Sequence, residues 1–166
     1  MGKETSAALE ALKQALALEK RGQEFYTEAA ARTADPKGKE MFGSLADDEV
    51  MHAEFIQRQV DALAKGEGWV LPDGVDQVDA DLDTPLFPKG KVAFEEAVRS
   101  DASDLDALLF ALKLENDAFN LYAELAKTAE DPTAKQLYEY LVSAERTHFN
   151  LVMLNYESLS SAGNFA

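Results

Sequence analysis

The sequence predicts an all-α protein: a four-helix bundle made of two repeated helical hairpins, with a long crossover between helices 2 and 3. Three observations predict it. Four segments carry apolar residues at the helical period. Each pair of segments is split by a short break containing Asp-Pro, whereas the two pairs are separated by a long Gly-, Pro- and Asp-rich stretch. The second pair also repeats the first at an offset of 96 residues.

The first helix is expected over about Ser6 to Thr33, with Leu9, Leu12, Leu16, Tyr26 and Ala30 on its apolar stripe. The second is expected over about Pro36 to Ala64. Asp35 before Pro36 is N-cap followed by N1 chemistry: the carboxylate accepts from free amides, and the proline ring has no amide to lose. The stretch "KGEGWVLPDGVDQVDADLDTPLFPKG" reads as irregular chain long enough to run the length of a bundle. A short amphipathic helix, "VAFEEAVRS", is expected after it, and Trp69 reads as a packing anchor for the crossover. The third helix is expected over about Ser103 to Thr128, with Leu105, Leu108, Leu112, Phe119, Tyr122 and Ala126 inward and Ser103 or Asp104 as cap. The fourth is expected over about Pro132 to Leu159, with Asp131 as cap and Tyr138, Leu141 and Val152 inward. The whole chain reads as one domain: a hairpin over about 6–64, a crossover over about 65–102 and a second hairpin over about 103–159.

Composition narrows the function. The 166 residues include no cysteine, which excludes disulfides, thiolate zinc sites and iron–sulfur clusters within them. A net charge of −15 repels nucleic acid and anionic membranes and attracts cations. No apolar run approaches the length of a membrane span, and "MGKETSAALE" has no apolar signal core, so a cytoplasmic location is expected.

One anomaly points to chemistry. The apolar stripe of the second helix runs through positions 42, 45, 49, 52, 56, 59 and 63, yet positions 49 and 52 are Glu49 and His52. The repeat places the same anomaly in the fourth helix: Glu49 aligns with Glu145, His52 with His148, Glu19 with Glu115 and Tyr26 with Tyr122. Glu19 and Glu49 lie 15 residues either side of the first turn, about 22 Å along antiparallel neighbours, and the second hairpin repeats this. The bundle centre is therefore expected to gather Glu19, Glu49, His52, Glu115, Glu145 and His148 at one level. Four buried carboxylates repel one another, whereas two divalent cations bring the centre near neutrality. An oxygen-rich set with two nitrogens suits iron or manganese, and zinc would also bind. A lone Glu-x-x-His is commonplace on solvated faces; the weight lies in six such residues at matched depth in a repeat.

Other motifs carry less. "DADLD" at 79–83 is not a calcium loop, because Thr84 replaces the required glycine and Gly90 the closing glutamate. Asp47 and Asp48 read as a solvated face, with orientation of a ligand histidine as the alternative for Asp48. Tyr26 and Tyr122 read as core aromatics within reach of a ligand carboxylate.

With these residues in place, the chain resembles the rubrerythrin branch of the ferritin-like superfamily. The motifs that carry the resemblance are "ALEKRGQEFY", "DDEVMH", "KLENDAFNLY" and "SAERTH". The resemblance implies a ferritin-like bundle with two iron ions, Glu49 and Glu145 bridging, Glu19 and Glu115 terminal, and His52 and His148 completing each site. It implies an oxidoreductase that meets peroxide or dioxygen, draws on an external electron donor, belongs to oxidative-stress chemistry and forms homodimers; the long crossover permits a swap of hairpins between chains. The alternative is iron binding, sequestration or sensing without turnover. Two departures qualify the resemblance. No cysteine is present to build the rubredoxin domain, and Ala118, with Gly22 as its repeat mate, stands where the family has a further glutamate.

Overall fold

A computed structural model describes residues 2–87 and 103–166. It contains α1 (Lys3–Arg32), α2 (Pro36–Ala64), α3 (Asp104–Thr128) and α4 (Pro132–Ala162), with no strand among the described residues. This is the expected all-α architecture of four helices. The expected "VAFEEAVRS" helix lies outside the described residues.

The helix starts follow from their caps. Asp35 accepts from the amides of Lys37 and Gly38 at 2.8 and 3.1 Å, and Asp131 from those of Thr133 and Ala134 at 2.8 and 3.2 Å. Ser103 accepts from the Asp106 amide at 3.1 Å. Asp131→Ala is expected to cost about 1 kcal/mol and lower the melting midpoint by about 2–4 °C, read by thermal unfolding. An unchanged midpoint would mean that the α3–α4 turn is held by other contacts.

Two helix ends differ from the sequence reading. α1 begins at Lys3, with no side-chain cap at Gly2 to mark the start. α4 runs past Leu159, because the hydroxyls of Ser160 and Ser161 turn back onto the carbonyls of Tyr156 and Glu157 and stay within the helix. It stops at Gly163, whose φ of 79° is the left-handed cap that glycine takes without strain.

α1 packs on α2, α3 on α4, and the hairpins meet chiefly through α1 and α3. Leu12, Phe42, Leu45, Ile56, Leu108, Leu112, Leu137 and Leu141 are fully buried between them. Each such side chain contributes about 1.5–3 kcal/mol by leaving water. Phe165 closes one end of the bundle, edge-on to Phe42 at 6.1 Å. Its ring fits because residue 38 is glycine: a Cβ there would sit 2.9 Å from the ring.

The crossover is tied to the second hairpin. Trp69 meets Tyr138 edge-on at 5.9 Å, as expected of a packing anchor. Gln136 donates to the Val75 carbonyl, and Arg146 to the carbonyls of Asp81 and Thr84. Asp81 accepts from the amides of Asp83 and Thr84, so the acidic run here forms a local turn.

Candidate metal centre

Glu19, Glu49, His52, Glu115, Glu145 and His148 all lie on inward stripes, and each is no more than 5% exposed. One residue comes from α1, two from α2, one from α3 and two from α4. The three-residue step in α2 and α4 puts each glutamate and histidine on one face.

The side chains form two overlapping clusters. Glu19, Glu49, His52 and Glu145 bring one donor atom each to within 4.8 Å of one another, as do Glu49, Glu115, Glu145 and His148. Glu49 and Glu145 belong to both. Distances match across the repeat. His52 Nδ1 lies 3.5 Å from Glu19, 3.5 Å from Glu49 and 3.2 Å from Glu145. His148 Nδ1 lies 3.6 Å from Glu115, 3.4 Å from Glu145 and 3.5 Å from Glu49. The imidazoles stack at 5.5 Å.

The tyrosines join the hairpins. Tyr26 of α1 donates to Glu115 of α3 at 2.5 Å, and Tyr122 of α3 donates to Glu19 of α1. The crossed pairs show that α1 and α3 run antiparallel. Burial, with the facing carboxylates, raises both phenols well above their usual range, so they stay protonated and donate.

Asp48 breaks the symmetry. Its carboxylate lies 2.9 Å from His148 Nε2. It is therefore not simply part of a solvated face, although its side chain is 46% exposed. The hydrogen bond with His148 lowers its pKa. The repeat mate of Asp48 is Ala144, so no equivalent carboxylate reaches His52 from α4. The sequence carries a faint signal for this contact. If Glu49 faces His148 across antiparallel helices, residue 48 falls beside that imidazole.

Burial pushes all four glutamates up. It prevails at Glu19 and Glu115, where the Glu145 charge adds to it, and both stay protonated well above the usual range. At Glu49 and Glu145 the neighbouring carboxyls and imidazoles outweigh burial and hold the pKa below that range. Burial lowers both histidines, but the ring of carboxylates raises them further than burial takes them down.

The donor set fits metal. Glu19 Oε2, His52 Nδ1, both Glu145 oxygens and His148 Nδ1 are buried without a partner in hydrogen-bond geometry. Such orphans are costly unless something else takes their lone pairs. They cluster at 3–4 Å yet do not pair, the arrangement of groups turned toward a shared centre.

A family model described as Rubrerythrin matches residues 10–156. The chain belongs to the rubrerythrin family. No curated protein and no solved structure matches it. The rubrerythrin match takes in all of α2 and α3, most of α1 and α4, and every residue of the two clusters. Gly22, the repeat mate of Ala118, lies against this centre. A Cβ at Gly22 would touch the Glu49 carboxyl group at 3.5 Å, so any longer side chain there would compete for space with Glu49. Among the described residues no helix is long and apolar enough to cross a membrane.

Proposed function

We propose that this chain is a di-iron carboxylate oxidoreductase that reacts with hydrogen peroxide or dioxygen. The observation that carries the reading is the sharing of Glu49 and Glu145 between two otherwise separate clusters, which supports a centre in which both carboxylates would serve two metals. Glu19 and His52 would complete one site, Glu115 and His148 the other. Two iron ions would supply two electrons to the oxidant and accept two back from an external reductant.

The side chains have assignable tasks. Four carboxylates balance the charge of two divalent cations. The Tyr122 phenol occupies Glu19 Oε1 and leaves Oε2 free, which favours one donor oxygen toward the site. Tyr26 holds Glu115 in the same manner. A cleft of about 280 Å³ on the α2–α4 side is lined by both imidazoles, Asp48, Met51, Ala144 and Thr147, and it is wide enough for a two-oxygen oxidant.

Asp48 would hold the His148 ring and strengthen it as a donor. Asp48→Ala is expected to weaken one of the two metals by about 10–100-fold and leave the other unchanged, in a stepwise metal titration. Equal weakening of both would contradict this role.

The reading is tested by loading metal-free protein with Fe(II), adding peroxide without oxygen and following ferric absorbance. Oxidation faster than in a Glu49→Ala, Glu145→Ala variant, with repeated turnover when a reductant is added, is expected. Iron bound at two per chain without turnover would overturn the oxidoreductase assignment.

A further inference from the structure

The two halves of the bundle differ in the aromatic side chains that lead away from the cluster. From Glu19, the hydrogen bond leads to Tyr122. The Tyr122 ring stacks on Tyr138 at 6.5 Å and 24°, and Tyr138 meets Trp69 edge-on at 5.9 Å. Both contacts lie within the usual range for aromatic pairs. Tyr122 is fully buried and Tyr138 nearly so, whereas Trp69 is half-buried. Trp69 and Tyr138 line a cleft of about 400 Å³ at the end of the bundle, with Ala7, Ala11 and Ala134.

The other half has the same shape and different chemistry. From Glu115 the hydrogen bond leads to Tyr26, whose ring stacks on Phe42 at 6.2 Å and 28°, and Phe42 meets Phe165 at 6.1 Å. Phe42 is the repeat mate of Tyr138. Phenylalanine cannot be oxidised at potentials where tyrosine and tryptophan can, so this second file ends after one ring. Packing needs alone would be met by phenylalanine on both sides.

We propose that Tyr122, Tyr138 and Trp69 carry single electrons between an external one-electron reductant at the cleft and the buried Glu/His cluster. The proposal rests on the di-iron reading for its oxidant, the metal centre after it has met peroxide or dioxygen. Tyr122 gives up one electron to that centre, and its proton shifts along the existing hydrogen bond to Glu19. Tyr138 refills Tyr122, and the proton returns from Glu19. Tyr138 loses its own proton to the solvent of the cleft and regains it when Trp69 refills it. The reductant then refills Trp69. One electron has crossed, the reductant is oxidised by one electron, and the three side chains are unchanged.

The route can be tested apart from the metal chemistry. Trp69 is the sole tryptophan of the chain, so an indole radical has one origin. Flash photolysis with a photo-oxidised ruthenium tris-bipyridine complex would generate it in the full chain, with metal bound or removed. In the wild type, indole-radical absorbance is expected to convert to phenoxyl-radical absorbance at a rate independent of protein concentration. Tyr138→Phe, which keeps the ring contacts, is expected to lose that fast conversion. Tyr140→Phe, whose ring packs on Phe55 away from the file, is expected to retain it. No conversion in the wild type, or an equal rate in Tyr138→Phe, would overturn the route. In iron-loaded protein, peroxide is expected to leave a phenoxyl signal in electron paramagnetic resonance that Tyr122→Phe removes. Normal radical conversion by flash, with iron that never responds to peroxide, would overturn the di-iron reading and leave the route standing.

Discussion

Replacing Glu145 with alanine is expected to abolish tight binding of both metals at once, whereas Glu19→Ala abolishes one. Glu145 brings an oxygen to each cluster, and Glu19 to one only. The loss should exceed about 100-fold in affinity at each site, about 2.7 kcal/mol, because a charged donor is removed from a dry centre. Glu145→Gln keeps the shape and separates the lost charge from the lost volume. Metal content after equilibrium dialysis, with circular dichroism as a check on the fold, reads the outcome. One metal retained in Glu145→Ala would show that the two clusters do not share this carboxylate.

The second large effect is a stabilisation by metal that grows with pH. In metal-free protein, Glu19 and Glu115 are raised above 4.5, so the stability they contribute is lost as pH climbs from there through their folded values. His52 and His148 are raised above 6.5; their contribution is complete below that value and is lost as pH rises through the folded values. Glu49 and Glu145 are lowered and act oppositely, losing their contribution only as pH falls below 4.5. The metal-free fold is therefore expected to be most stable in mild acid and to soften toward alkaline pH. Metals would expel the protons that the raised groups hold, so their stabilisation grows with pH. The gap between loaded and metal-free melting midpoints should widen from about pH 6 to about pH 8.5. A constant gap would mean that the donors are already deprotonated before metal arrives.

Much of this was legible in the sequence, and the parts that were not have local causes. Both ends of α2 could be read, because Asp35 and Pro36 start it and "KGEG" ends it. The start of α1 could not, since Gly2 offers no capping side chain. The end of α4 was obscured by Ser160 and Ser161, which resemble loop residues until their hydroxyls are seen to bond within the helix. The convergence of the six Glu and His residues was legible because each breaks an apolar stripe twice over, in both halves of a repeat. Asp48 was legible only as an alternative, because an acid at the edge of a helix looks alike whether it meets water or an imidazole. The crossing of Tyr26 to Glu115 and Tyr122 to Glu19 was not legible. That depends on how two hairpins dock, which the period of a single helix does not encode.

Each hairpin supplies three donors to its own cluster and lends one glutamate to the other. Neither hairpin alone holds a complete set. A lone ancestral hairpin would have gained such a centre only by pairing with its own copy, so the homodimer would precede the duplication that fused the halves. In such a fused chain, positions away from the lent glutamates need not match, and Asp48 against Ala144 and Tyr138 against Phe42 do not.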